Sequence, residues 1–212
     1  MINCFETGKA DGDYGAISTY ADGPHNIKQI TYGRSQTTEY GNLRQLIQMY
    51  VDAHGTFSSA LPPYADKIGS EALVSDSNFK NLLRRAGRED ATMRQIQDRF
   101  FDTTYFTPAM KWADDHKFVL PLSALVIYDS FIHSGSILWI IRQKFPENTP
   151  DQDGNEKDWT KAYVQARLEW LGQSTRSAMR ASTYRAKDLA KEINRGNWEL
   201  SQLPIMANGI AV

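Results

Sequence analysis

Two carboxylates near the start of the chain have surroundings suited to acid–base chemistry. Glu6 follows the apolar Phe5, and Asp22 begins the turn Asp22-Gly23-Pro24-His25-Asn26. Apolar neighbours favour a protonated glutamate, and a wet turn favours an ionised aspartate that can accept a proton from water. One acid and one base, ~6.5–9.5 Å apart, are what inverting hydrolysis of a glycosidic bond requires. The alternative is that Asp22-Gly23 only builds a turn, as most such pairs do.

The composition excludes several other kinds of chemistry and partner. In 212 residues, 24 Lys and Arg oppose 25 Asp and Glu, and this balance argues against a nucleic-acid partner. Cys4 is the only cysteine, so neither an internal disulfide nor a zinc cluster of cysteines can form. The four histidines show no metal-binding spacing, and we predict no metal and no cofactor. The apolar run from Phe118 to Ile132 contains Pro121 and Asp129 and is too short to span a membrane.

Helical periodicity dominates after residue 40 and predicts the elements that must position these groups. Apolar residues recur there at spacings of three and four, with caps and glycines at the expected ends. The helix running to Ile132 is apolar on nearly all sides, which predicts a place in the centre of the core. The predicted helices are Asn42–Gly55, one from Ser75 or Asp76 that Gly87 stops, Glu89–Phe101, Asp115–Ile132 entered near Pro121, Ser136–Phe145, Trp159–Leu171 and Arg185–Asn194.

The segment before the helices has a different pattern. Residues 16–21 and 27–32 read as strands on either side of the turn that contains Asp22. The polar segment 146–158 predicts a surface loop. We therefore predict a mainly α (α+β) single domain over residues 1–212, with a β-wing at about 13–36 and a helical body at about 42–212.

Several segments resemble the lysozyme-like superfamily and, most closely, the family 46 chitosanases. The first three contain the two acids and the strand that follows them, and the others continue in the correct order along nearly the whole chain. They are Phe5-Glu6-Thr7-Gly8, Tyr20-Ala21-Asp22-Gly23, Ile30 to Gln36, Asp98-Arg99 with Tyr105-Phe106-Thr107-Pro108-Ala109, Tyr128-Asp129, His133-Ser134-Gly135, Arg185, and Gly196-Asn197-Trp198-Glu199-Leu200. The resemblance implies two helical lobes and a β-wing flanking a substrate cleft. It also implies an inverting, endo-acting hydrolase of β-1,4-linked amino-sugar polymers, with Glu6 as general acid and Asp22 as general base.

Two departures from the chitosanase pattern affect the expected substrate. Ile27 stands where these enzymes have a threonine that holds the attacking water, so Gln29 and Thr31 become the water-positioning candidates. Gly41 stands where they have an aspartate that binds a glucosamine ammonium, and Glu39 is the nearest acid. We therefore expect peptidoglycan as the substrate, with chitosan as the alternative.

Further residues are candidates for substrate binding or for the core. Aromatic faces stack on sugar rings and polar groups bind their hydroxyls, which makes Tyr20, Tyr32, Arg34, Gln36 and Glu39 candidate substrate contacts. A carboxylate inside an apolar helix needs a counter-charge, so Asp129 is expected to form a buried ion pair. The candidate partners are Arg99, Arg167 and Arg185, while His133 and the tryptophans at 112, 139, 159, 170 and 198 are expected in the core.

Two other classes of function stay open, a non-catalytic glycan-binding module and a structural protein such as a helical phage component. The expected partner is a polysaccharide, with neither nucleic acid nor a membrane span, and the expected state is a monomer or one domain of a larger protein. No Sec signal peptide is evident at residues 1–6. We therefore expect synthesis in the cytoplasm and action in the periplasm or cell wall after delivery by a phage or a secretion apparatus.

Overall fold

The computed structural model describes residues 1–34 and 36–212 and confirms a mainly helical chain with a small antiparallel sheet. The chain divides into two compact units. The N-terminal unit comprises Glu6–Phe101, and the C-terminal unit comprises Met1–Phe5 with Asp102–Val212. Helix α1, Ile2–Thr7, contains the boundary.

The β-wing lies in the N-terminal unit and has three strands. These are β1, Ile17–Tyr20, β2, Gln29–Tyr32, and β3, Thr37–Thr38, antiparallel in the order β1-β2-β3. The third strand was not predicted and extends the wing to residue 38. Every residue of β2 is buried, so this strand has no solvent-facing side. Residues 24–26 form a short 3-10 turn between β1 and β2.

Four helices complete the N-terminal unit: α2, Leu43–Asp52; α3, Pro62–Ala65; α4, Ser77–Glu89; and α5, Ala91–Phe101. Asp76 caps α4 by accepting a hydrogen bond from the Phe79 backbone amide. The prediction that Gly87 stops this helix is wrong. Gly87 lies inside α4, where a Cβ would come within 2.1 Å of the Tyr14 carbonyl oxygen. A glycine stands at this position because α4 packs closely against residues 14–15, not because the helix ends there.

The C-terminal unit begins with a π-helical turn, Asp102–Phe106, and continues with six helices and a terminal hairpin. The helix α7 is buried on several sides and packs against α6, α9 and α11. The elements are α6, Thr107–Asp115; α7, Pro121–Ser134; α8, Trp139–Arg142; α9, Glu156–Gly172; α10, Ser177–Ala181; α11, Thr183–Asn194; β4, Met206–Ala207; and β5, Ile210–Ala211.

Three predicted elements of this unit have different bounds in the structure. The helix predicted over residues 115–132 begins only at Pro121, the predicted entry residue, and residues 116–120 are not helical; α6, which ends at Asp115, was not predicted. The helix predicted over residues 136–145 shrinks to the four residues of α8, and Trp139 is 72% exposed rather than in the core. Part of the predicted loop 146–158 has regular secondary structure. Residues 150–152 form a 3-10 turn, and Asn155 caps α9, which begins at Glu156.

The core of the C-terminal unit is aromatic around α9. Trp159 and Tyr163 are buried, and their rings stack with centroids 5.0 Å apart. Phe118 packs edge-on against Trp159, with ring centroids 4.9 Å apart. Within the described ranges, no helix is both long and apolar enough to cross a bilayer.

Candidate active site

Asp22 is held by a glutamine from the neighbouring strand. Gln29, the first residue of β2, donates from Nε2 to Asp22 Oδ1 over 2.9 Å. The other end of the same amide, Oε1, accepts a hydrogen bond of 3.1 Å from the Tyr40 backbone N–H. Gln29 is only 5% exposed. The sequence predicted Gln29 as a water-positioning residue. The structure brings its side chain into contact with Asp22, and the water-positioning role stays a prediction.

The turn that carries Asp22 packs closely on β2 because Gly23 has no side chain. A Cβ on Gly23 would lie 2.8 Å from the Ile27 carbonyl oxygen and 3.3 Å from the Tyr40 ring. It would also lie 3.6 Å from the amide carbon of Gln29. The Gly23 amide donates to the Ile27 carbonyl over 3.1 Å and closes the turn. Asp22, Gln29 and Tyr40 are thus joined by short, local contacts.

Glu6 lies near the C-terminal end of α1 and is partly buried. The helix ends one residue later at Thr7, and Gly8 follows with a φ of 67°. Glu6 and Asp22 both belong to the N-terminal unit. Their facing arrangement, with a gap for a water molecule, stays a prediction.

Two further candidates lie on the strands beside Asp22. Thr31 shares its side of β2 with Gln29, is buried, and donates from Oγ1 to the Ser18 carbonyl over 3.4 Å. Tyr20 lies directly opposite Gln29 in the β1–β2 register and is 54% exposed. An exposed ring two residues before Asp22 is available to stack on a sugar. Both proposed roles, water positioning by Thr31 and substrate contact by Tyr20, stay predictions.

The predictions that Tyr32 and Glu39 contact substrate are wrong. Tyr32 is fully buried, its hydroxyl donates to the Leu83 carbonyl over 2.8 Å, and burial raises the pKa of Tyr32 above its usual value. Glu39 is also buried, and its two carboxylate oxygens accept from the backbone amides of Ile30, at 3.0 Å, and Leu73, at 2.7 Å. The physical reason is that both faces of β2 are covered. The polar groups of Tyr32 and Glu39 therefore make hydrogen bonds inside the protein and do not line a cleft.

Arg34 and Gln36 lie between β2 and β3 and are partly buried. The Arg34 guanidinium pairs with the Asp98 carboxylate and lies 5.0 Å from the centroid of the Phe101 ring. Gln36 donates from Nε2 to the Gly33 carbonyl over 2.9 Å. These contacts anchor the β2–β3 turn to α5, and contact with substrate stays a prediction for both residues.

In the C-terminal unit, Asp129 forms the predicted buried ion pair. Arg167 Nη1 lies 2.6 Å from Asp129 Oδ2, and Arg185 Nη2 lies 2.6 Å from Oδ1. Burial alone would raise the pKa of Asp129, but the guanidiniums of Arg185 and Arg167 outweigh it and lower that pKa to about 2. The third candidate partner, Arg99, belongs to α5 of the N-terminal unit, and its pairing with Asp129 stays a prediction.

His133 lies one helical turn after Asp129 on α7. Burial, followed by the positive charges of Arg167 and Arg185, lowers the pKa of His133 to about 3. The imidazole, which is partly buried, is therefore neutral at ordinary pH.

A metal centre would need several ligating side chains close together. Among residues 1–34 and 36–212, no group of three or more His, Cys, Asp or Glu side chains is placed to hold an ion. Cys4 is a buried free thiol in α1.

Comparison with known proteins decides the family. The sequence model of glycosyl hydrolase family 46 matches residues 1–205, which is nearly the whole chain. The chain belongs to glycosyl hydrolase family 46. It is therefore an inverting glycoside hydrolase of the lysozyme-like superfamily, as the resemblance implied.

One curated relative and two solved structures are also similar to this chain. A chitosanase of Bacillus subtilis (strain 168) is 25% identical over 95% of this chain and 77% of its own length. The fold resembles that of the family 46 chitosanase of Gynuella sunshinyii solved with chitotetraose, with a TM-score of 0.85 and 22% identity over 100% of this chain and 93% of the other. The native chitosanase of Bacillus subtilis MY002 gives a TM-score of 0.85 at 20% identity, covering 100% and 95% of the two chains.

Proposed function

We propose that this family 46 hydrolase is a chitosanase that cleaves β-1,4 bonds inside chitosan chains. The sequence alone led us to expect peptidoglycan as the substrate and chitosan as the alternative, and the proposal reverses that order. It is supported by the relative named as a chitosanase and by the neighbouring structure solved with chitotetraose. The observation that carries the mechanism is the carboxylate of Asp22, anchored by Gln29 at the tip of the β-wing.

In the proposed reaction, Glu6 donates its proton to the glycosidic oxygen as the bond from that oxygen to the anomeric carbon breaks. Asp22 takes a proton from a water molecule that attacks the same carbon from the opposite face. The product sugar has the opposite anomeric configuration, and the two carboxyl groups exchange their protonation states. Release of the product and exchange with solvent restore the starting forms.

One specific observation favours peptidoglycan as the second candidate. Gly41 occupies the position of the expected ammonium-binding acid, and a Cβ there would lie 2.4 Å from Thr38 Oγ1. Glu39, the nearest acid, is buried and bonded through both oxygens to backbone amides. Neither residue supplies a free carboxylate for a glucosamine ammonium, so any such contact in a chitosanase reaction must come from another acid.

The test is to incubate the purified chain separately with chitosan and with purified cell-wall sacculi and to measure released reducing ends. We expect release from chitosan only, with inverted anomeric configuration in the first products seen by NMR. Release from sacculi alone would replace chitosan by peptidoglycan. Binding to either polymer without release would instead support the glycan-binding module.

A further inference from the structure

We propose that Gln29 is the positioning residue of the base Asp22 and that it acts through this carboxylate instead of holding the attacking water. This inference rests on the proposed function, in which Asp22 is the general base. It differs from the expectation that Gln29 replaces the water-binding threonine of related enzymes.

The backbone fixes the orientation of the Gln29 amide. The donor at Tyr40 is a backbone N–H, which can bond only to the oxygen of an amide, and Gln29 Oε1 accepts it over 3.1 Å. The NH₂ group of the same amide must then face Asp22, which it meets at 2.9 Å. The chain of contacts from Tyr40 through Gln29 to Asp22 thus has one direction, with each group donating to the next acceptor.

Burial makes this arrangement rigid. Gln29 is 5% exposed and begins a strand that is covered along its whole length. A side chain held in this way can fix the plane of the carboxylate that it touches.

A donor in this position holds the group on which the proposed reaction depends. A hydrogen bond to a carboxylate stabilises its charged form, and a general base must be charged before it can accept a proton from water. The Gln29 amide therefore fixes the orientation of the Asp22 carboxylate through this bond. The backbone engages the acceptor of the amide, and Asp22 engages one of its donors.

The decisive variant is Gln29→Glu. The new side chain keeps an oxygen for the Tyr40 N–H but turns a carboxylate oxygen toward Asp22, and two adjacent carboxylates cannot both ionise easily. We expect the acid side of the kcat/KM profile to move to higher pH by about 1 unit or more, while the basic side stays in place. At a pH on the shifted limb, kcat/KM should fall ~10-fold or more relative to the unchanged enzyme.

A second variant and a matched control separate positioning from stability. Gln29→Met removes the donor without adding charge and should move the acid limb in the same direction by a smaller amount. Gln97→Met removes a comparable buried amide, which accepts from the Arg34 N–H and donates to the Tyr14 carbonyl, each over 2.9 Å. Melting curves for both methionine variants should show similar losses, but only Gln29→Met should move the acid limb.

The possible failures are distinguishable. An acid limb that stays in place in both Gln29 variants, or that moves equally in Gln97→Met, would overturn the positioning role. Asp22→Asn tests the proposed function itself. If Asp22→Asn is inactive and the Gln29 variants keep the normal limb, only the inference about Gln29 fails, whereas an active Asp22→Asn enzyme would remove the base on which both rest.

Discussion

At the scale of single residues, the two proposed catalytic acids can be separated from acids that only maintain the fold. Glu6→Gln keeps the size of the side chain but cannot deliver a proton to the leaving oxygen, and Asp22→Asn cannot take one from water. We expect kcat on chitosan to fall at least about 100-fold in each variant. Melting temperatures should change little, because neither substitution removes core volume. Initial rates and melting curves on the same preparations measure both effects.

Glu39→Gln is the matched control for that experiment. Its carboxylate accepts two backbone N–H groups in the core, and an amide would turn its NH₂ toward one of these donors. The unsatisfied donor should cost about 1–3 kcal/mol of stability, with kcat/KM near normal. Near-normal activity of Glu6→Gln on both chitosan and sacculi would show that the proposed mechanism is wrong.

The ion pair at Asp129 gives the second prediction at this scale. Asp129→Asn leaves the buried Arg167 and Arg185 without their shared counter-charge. We expect a loss of about 3–5 kcal/mol in the free energy of unfolding, measured by denaturant titration. Asp115→Asn breaks an exposed pair with Lys111 in the same unit and should cost no more than about 1 kcal/mol. Equal losses in the two variants would contradict a stabilising role for the buried charge.

These residues also show what the sequence can reveal of a site. Asp129 was predicted to be paired because a lone carboxylate inside an apolar helix is too costly to bury. The burial of Tyr32 and Glu39 could not be predicted from the sequence. Alternation of side chains along a strand identifies a solvent-facing side only when one face of the sheet is exposed to solvent. In β2 both faces are covered, and only the packing of α4 and the segment near Leu73 decides where these side chains lie.

At the scale of elements, the close contact of α4 with the segment before the β-wing depends on one glycine. In Gly87→Ala, the new Cβ would fall 2.1 Å from the Tyr14 carbonyl oxygen, which is backbone and cannot rotate away. We expect a loss of about 1–3 kcal/mol of stability from this overpacking, seen as a lower melting temperature.

Gly172→Ala provides the control for helix propensity. Gly172 ends α9 with nothing within 4 Å of an added Cβ, so alanine there should be neutral or stabilising by up to about 1 kcal/mol. A Gly87→Ala protein as stable as the original would show that residues 14–15 can move away from α4.

Sequence patterns located the long elements well and the short ones poorly. The helices α2, α9 and α11 were predicted within a few residues, because each buries one stripe over several turns. The four-residue α8 was predicted too long, since apolar residues there are exposed as well as buried. The hairpin β4–β5 was missed although it carries a usable signal: Asn208-Gly209 has φ values of 51° and 78°, as a two-residue hairpin turn requires.

At the scale of the whole molecule, the proposed catalytic residues and the buried ion pair lie in different units. Both proposed catalytic acids and the anchoring glutamine lie in the N-terminal unit, where Gln29 holds Asp22 in the β-wing and Glu6 belongs to α1. The C-terminal unit contains the buried Asp129 ion pair and the partly buried, neutral His133. Catalysis and acid stability should therefore respond to different substitutions.

The last prediction concerns the loss of stability in acid. The pKa of His133 is lowered from 6.5 to about 3 in the folded protein, so between these values the unfolded chain binds more protons. The stability that His133 contributes is complete above pH ~6.5 and is lost as the pH falls toward 3, by at most about 1.4 kcal/mol per pH unit. Asp129, with a folded pKa of about 2, loses its contribution only below pH ~3.9.

Substituting His133 by a residue that does not titrate removes the first of these effects. We expect His133→Asn to flatten the dependence of unfolding free energy on pH between 6.5 and 4, even if the variant is less stable at pH 7. His54→Asn, at an exposed position with a φ of 52° that asparagine tolerates, should keep the original slope. Denaturant titrations at several pH values measure all three slopes. If His133→Asn retains the slope of the unchanged protein, His133 is not the source of the acid sensitivity. Asp129 is not the source either, because in the folded protein it stays ionised between pH 6.5 and 4.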